Sequence, residues 1–221
     1  MMVATISELM AELKRQKVAP ERLRDLRPAV EVELEQSAAY VSSGLADLDR
    51  ISGGGWPVGA LSELVVSTGG GAALLHAALR AAAARGESIV LIDPFQGLDP
   101  LAATAAGVSL DRLLWVRPAG TKSAARAVEL LLRAGGFSLV VLDLQHLWKP
   151  PRRRARDLST SVWLRLGRRA RESKTVVLVF VSSPQVTAPV LSIQIDYALR
   201  WSGAIPRLKL RFVLRRGGRR D

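Results

Sequence analysis

The clearest order along this chain is an exchange between short, continuous apolar runs and longer segments whose apolar residues recur at helical spacing. The runs Leu61–Val66, Ser88–Ile92, Leu113–Val116, Ser138–Leu142 and Thr175–Val181 are rich in Val, Ile and Leu. They do not alternate with polar residues, the pattern of strands covered on both faces. Between them, Ala72–Arg85 reads as a helix stopped by Gly86, which suits the position just past a helix end. Asp99 followed by Pro100 places an N-cap before a proline at the first helical position, and that helix stops at Gly107. Ser123–Ala134 ends at Gly135 and Gly136, and Leu158–Glu172 is amphipathic, with Val162, Leu164 and Leu166 among many arginines. Strands alternating with helices of these lengths predict an α/β core, a mostly parallel central sheet flanked by helices. From Tyr197 to Leu214 the pattern changes. Leu208, Leu210, Phe212 and Leu214 fall on one side of a strand and Lys209 and Arg211 on the other, which predicts antiparallel strands closing the sheet edge near the C-terminus.

Ahead of this core, Ile6–Gln16 has Leu9, Met10 and Leu13 at helical spacing, and Val18–Arg27 reads as a second helical piece bounded by Pro20 and Pro28. The acidic, polar stretch Ala29–Ala39 reads as a linker. The expected organisation is a small N-terminal helical extension with its linker over 1–40, a core domain over 41–214 and a basic tail over 215–221.

Composition narrows the function classes. With 221 residues, 48% of them hydrophobic, the chain can bury one sizeable core. There is no cysteine, so disulfides and thiolate metal sites are excluded, and two histidines, His76 and His146, are too few for a histidine-rich metal cluster. The first residues carry charges too early for a secretory segment. No apolar run approaches the roughly 20 residues of a membrane span, so a cytoplasmic location is expected, with nucleoid association open. The formal net charge is +12. That excess suits either a solubilising surface or a polyanion partner. Acidic residues concentrate before position 50, whereas arginine accumulates after Lys149 and at the C-terminus, which favours a genuine basic face.

One segment has the context of a phosphate-binding loop without its chemistry. Such a loop reads GxxxxGK[ST] between a strand and a helix: backbone N–H groups cradle the phosphates, the lysine reaches the terminal ones and the hydroxyl holds Mg²⁺. Here the eight positions are Val66-Ser67-Thr68-Gly69-Gly70-Gly71-Ala72-Ala73. The length and the second glycine are kept, but the first glycine is Val66, the lysine Ala72 and the hydroxyl Ala73. Without the cation and the metal ligand, only backbone dipoles would face a triphosphate. Neither ATP hydrolysis nor tight ATP binding is expected, and no cofactor is implied. Gly69, Gly70 and Gly71 then serve either as a residual anion site or as a plain turn.

The segment Ser43–Asp49, followed by Gly53-Gly54-Gly55-Trp56-Pro57-Val58-Gly59-Ala60 and Leu61-Ser62-Glu63-Leu64, resembles the entry to the RecA ATPase core. More closely it resembles the ImuA family, RecA-like accessory proteins of inducible mutagenic translesion synthesis. Leu91–Pro100, Gly107–Trp115 and the strand Phe137–Asp143, which has the form of a Walker B strand, continue the resemblance over roughly 41–200. By that resemblance the catalytic glutamate position is Phe95, the adenine-stacking position is Ala102, and Asp143 survives of the metal-coordinating set. The resemblance implies a RecA-like fold without catalysis, an association with RecA and with an ImuB-like polymerase-related partner, and no membrane contact.

It also implies two loops of a DNA channel. The first corresponds to Trp148–Arg156, where Arg152, Arg153, Arg154 and Arg156 either contact phosphates or are simply solvated. The second, Ser183–Pro189, is brief, uncharged and without an aromatic for base stacking, so DNA binding through these loops should be weak and salt-sensitive. The tail residues Arg215, Arg216, Arg219 and Arg220 suit DNA or an acidic protein partner. Leu9, Met10 and Leu13 suit either their own domain or a neighbouring protein. Two other function classes stay open: a cell-division inhibitor resembling SulA, which binds FtsZ, and an unusual RecA-type DNA-dependent ATPase.

Overall fold

The computed structural model describes residues 39–66, 70–145, 158–202 and 205–214, with side chains described outside 197–210. The chain divides into two compact units, residues 1–38 and 39–221, and the described residues all fall in the second. The helical pieces expected over Ile6–Gln16 and Val18–Arg27 lie outside the described residues.

In chain order the elements are β1 (Tyr40–Val41), α1 (Ala46–Ser52), β2 (Trp56–Pro57), β3 (Leu61–Val66), α2 (Gly71–Ala84), β4 (Ile89–Ile92), α3 (Pro100–Ala105), β5 (Leu113–Val116), α4 (Thr121–Ala134), β6 (Leu139–Asp143), α5 (Thr160–Ser173), β7 (Val176–Val181), β8 (Leu191–Ser202) and β9 (Ile205–Leu214). Seven strands form one sheet in the order β5-β4-β6-β7-β3-β8-β9. Every neighbouring pair is parallel except β8 with β9. The mostly parallel sheet with an antiparallel C-terminal edge is therefore the observed architecture.

The apolar runs occupy the middle of the sheet because both their faces are covered. β3, β4, β6 and β7 are buried along their whole lengths. On one face, Leu64, Leu91, Val141 and Leu178 meet Leu74, Leu79 and Ala82 of α2, with Leu48 of α1 and Ala103 of α3 in the same cluster. On the other, Val65, Val90, Val140 and Val177 meet Val128 and Leu132 of α4 and Trp163 and Leu166 of α5. The period-2 pattern of the tail places Phe212 against the first cluster and leaves Arg211 exposed.

Two pieces depart from the expected pattern. α1 is a seven-residue helix with only Leu48 buried, too short to show periodicity. It is held from outside: Asp49 accepts hydrogen bonds from Ser42 Oγ (2.6 Å), Ser43 N (2.8 Å) and Ser43 Oγ (2.5 Å). Burial alone would raise the Asp49 pKa, but these bonds and the Arg85 charge outweigh it and hold the carboxyl below its ordinary value. The other departure is β8. It begins at Leu191, well before Tyr197, and its first half runs parallel beside β3.

The three glycines before Trp56 have a steric reason at Gly55. Its φ is +112°, and a Cβ there would collide with the Val41 carbonyl oxygen. The close approach lets β1 and β2 pair, Tyr40 with Pro57 and Val41 with Trp56, and seats Trp56 in the core at 1% exposure.

The Asp99 cap is formed as its spacing predicts. Its Oδ1 accepts from Leu101 N (2.9 Å) and Ala102 N (3.3 Å), with Pro100 opening α3. Asp99→Ala should therefore cost about 1 kcal/mol in chemical denaturation, with no change in the denaturant slope.

Candidate functional site

In open parallel sheets, ligand sites form beyond the carboxyl ends of the strands. At that edge lie the end of β3 with the loop to α2, the end of β4 with the Asp93–Leu98 turn, Asp143 at the end of β6, and the loop after β7. Three buried acidic side chains, Asp93, Asp143 and Glu63, organise this edge.

The β3–α2 loop is described at its two ends, Val66 and Gly70, whereas Gly69 lies outside the described residues. Val66 is a buried strand residue. Gly70 has φ +80°, the left-handed backbone that glycine adopts without cost, and precedes the first helical residue. Gly71 is buried, while Ala72 and Ala73 are exposed on the first turn of α2. Methyl groups thus stand where a phosphate-binding helix carries its lysine and hydroxyl. A Cβ at Gly71 would collide with the side-chain amide of Gln145, so this amide lies directly over the start of the helix.

Gln145 is held there by Asp143. Asp143 Oδ1 accepts from Gln145 N (2.9 Å) and from Gln145 Nε2 (3.2 Å), a local turn closed on its own side chain. Asp143 is 5% exposed and Gln145 7%. Burial pushes the Asp143 carboxyl up to about 6; the Gln145 hydrogen bonds oppose this and the nearby Asp93 charge adds to it.

Asp93 has a different set of partners. It accepts from Gly97 N (2.9 Å), Leu98 N (3.1 Å) and Trp115 Nε1 (3.2 Å), and so ties the turn after β4 to the edge strand β5. Phe95, two residues on, is partly buried against the apolar cluster under α4 and α5. Ala102 is exposed on α3.

The sequence reading missed the third acid, Glu63. It sits in the middle of β3 at 2% exposure. Its Oε1 accepts from Gln185 N and Val186 N, both at 2.8 Å, and its Oε2 from Ser192 Oγ at 2.8 Å. The loop Ser183–Pro189 is thereby pinned to the sheet, with Val186 buried beneath it. The available signal was one carboxylate in a strand that is apolar but for Ser62, Leu61-Ser62-Glu63-Leu64-Val65-Val66.

The structure thus brings Gly71, Asp143 and Gln145 together and puts Asp93 close enough to Asp143 to raise its pKa. Arg152, Arg153, Arg154 and Arg156, the tail residues Arg215, Arg216, Arg219 and Arg220, and Leu9, Met10 and Leu13 lie outside the described residues. Among the described residues no helix is long and apolar enough to cross a membrane.

A family model, the RecA N-terminal domain, matches residues 28–171. The chain is 36% identical to Protein RecA of Deinococcus radiodurans over 113 residues, which cover 50% of this chain and 31% of that protein. Protein RecA of Picosynechococcus is 32% identical over 111 residues, covering 49% and 32% respectively. Protein RecA of Nostoc punctiforme is 36% identical over 105 residues, covering 47% and 29%. The matched stretch spans about a third of the length of each of these relatives.

Proposed function

Since the chain belongs to the RecA N-terminal domain family, we propose that it is a non-catalytic RecA-like accessory factor of DNA-damage-induced translesion synthesis, of the ImuA kind. In this reading it is a scaffold: its RecA-like surface engages RecA protomers, and a second surface meets an ImuB-like, polymerase-related partner. The fold is kept for recognition and the reaction is not performed, since fold alone does not carry activity.

One observation carries the proposal. The amide of Gln145, anchored by Asp143, lies against Gly71 at the start of α2. A triphosphate bound in the usual way would need a cation and a hydroxyl at the positions of Ala72 and Ala73, and the start of α2 that would face it is crowded by this amide. The residues present do not fit a magnesium nucleotide. Phe95, at the position the resemblance gives to a catalytic carboxylate, supports the same reading: its partly buried ring packs against the core and can hold no proton for water.

The test is association. The purified full chain, mixed with RecA or with an ImuB-like protein at micromolar concentration, is expected to co-elute with each in size-exclusion chromatography. Separate elution in both mixtures overturns the scaffold. The rival reading, a SulA-like inhibitor of FtsZ, predicts filamentous cells on overexpression, whereas the accessory factor leaves division normal.

A further inference from the structure

The excess positive charge of this chain is not spread evenly over the fold. The helices on the α1–α2–α3 face of the sheet carry Arg50 and Arg80 against Asp47 and Asp49, and balance. The two helices on the other face do not. α4 contributes Lys122, Arg126 and Arg133, and α5 contributes Arg165, Arg168, Arg169 and Arg171, against two carboxylates, Glu129 and Glu172.

Both carboxylates are already engaged. Glu129 Oε2 accepts from Arg165 Nε at 3.2 Å, an ion pair that crosses from α5 to α4. Glu172 Oε2 accepts from Arg169 Nη1 at 2.6 Å within α5. Lys122, Arg126, Arg133 and Arg168 are exposed and have no carboxylate partner among the described residues.

Their positions are ordered by the helices. Ala124, Ala125, Val128 and Leu132 bury one side of α4, and Trp163, Leu166 and Ala170 bury one side of α5. Residues four and seven apart share a helix face, so Lys122, Arg126 and Arg133 line the outward side of α4. Arg168 falls on the outward side of α5. Lys122 and Arg126, like charges four apart, cost α4 a few tenths of a kcal/mol. Glu129 lies along the same row, three after Arg126 and four before Arg133, but its carboxylate is taken by Arg165 of α5, so the row stays net positive. The outward row on α4 extends about 16 Å at 1.5 Å per residue, a length over which a duplex presents roughly ten phosphates.

We propose that the outer faces of α4 and α5 form a binding surface for the phosphate backbone of nucleic acid, centred on Lys122, Arg126, Arg133 and Arg168. It lies on a flank of the sheet and uses residues other than the two segments that the family resemblance assigns to DNA. The surface contacts phosphates and reads no bases. It does not depend on the accessory role proposed above, because a chain with a working nucleotide site could carry the same two helices.

The test is fluorescence anisotropy of the full chain with labelled single-stranded and duplex oligonucleotides of mixed sequence, from about 50 to 200 mM salt. Arg126→Glu combined with Arg168→Glu should weaken binding at least about tenfold and lower the salt slope by about two. Replacing Arg152, Arg153, Arg154 and Arg156 together by alanine should leave most of the affinity. A milder pair, Arg126→Gln with Arg168→Gln, guards against loss of fold and should show the same direction with an unchanged melting temperature. Comparing the two oligonucleotides shows which strand form supplies the phosphates.

Four results would overturn the proposal. The wild-type chain could bind neither oligonucleotide, or the reversed pair could bind like wild type. The Arg152–Arg156 replacement could abolish all binding. Or the reversed pair could lose an acidic polyglutamate peptide while keeping nucleic acid, which would assign the surface to an acidic protein, with the exposed Leu130 and Leu164 as its apolar contacts.

Discussion

Glu63→Ala is expected to lower the stability of the core by about 4 kcal/mol, among the largest losses a single replacement causes. The carboxylate takes three hydrogen bonds from two backbone amides and a serine hydroxyl, all buried or partly buried. A bond to a charged group contributes about 1.5–3 kcal/mol, and a donor left buried without a partner costs about 1–3 kcal/mol. These terms are not additive, so the sum is discounted. Urea denaturation should show an earlier midpoint at unchanged slope, and Glu63→Gln, which keeps one acceptor, should fall between. A loss below about 1 kcal/mol would mean that the loop after β7 is held by something other than this side chain.

Asp143→Asn should act in the opposite direction and stabilise the protein. The unfolded carboxyl titrates near 3.8 and the folded one near 6, so between these values the folded chain holds the extra proton. Stability therefore falls as pH rises through that window, and above it the full cost of burying the charge is present. At 1.36 kcal/mol per pKa unit the cost approaches about 3 kcal/mol near pH 7. Asparagine presents an oxygen to the Gln145 amide proton without the charge. The variant should be more stable than wild type near pH 7, and the difference should vanish below about pH 4. A variant less stable at neutral pH would show that the charge is wanted there, as it would be if a cation normally sat beside it.

Glu63 marks where sequence reading stops, whereas Asp143 was legible as the end of a strand of Walker B form. The five apolar runs that became β3 to β7 could be read directly, because a strand buried on both faces needs nothing but apolar residues. Asp99-Pro100 and Gly86 could be read too, since caps are local chemistry. α1 could not: seven residues with one buried side chain have no period, and Asp49 is fixed by serines outside the helix. Nor could the first half of β8, whose alternation in Leu191–Ile195 shows its meaning only once β3 lies beside it.

The site divides in the same way. Ala72 and Ala73 could be aligned with a loop pattern and found wanting in chemistry. Glu63 reaches residues more than 120 positions away, and Gln145 meets a glycine 74 positions before it, so no spacing rule points to either. Gln145 matters most to the proposed reading, because its amide lies against Gly71 at the start of α2, beside the positions that lack the lysine and the hydroxyl.

The most direct test of the account is titration of the full chain with Mg-ATP by calorimetry, with phosphate release followed in the presence of single-stranded DNA. No binding heat, no rise in melting temperature at millimolar nucleotide and no release above background are expected, since a ligand that favours the folded state must raise its stability. Saturable binding at micromolar nucleotide, or turnover that Asp143→Ala abolishes, would contradict the account and make the chain an ATPase.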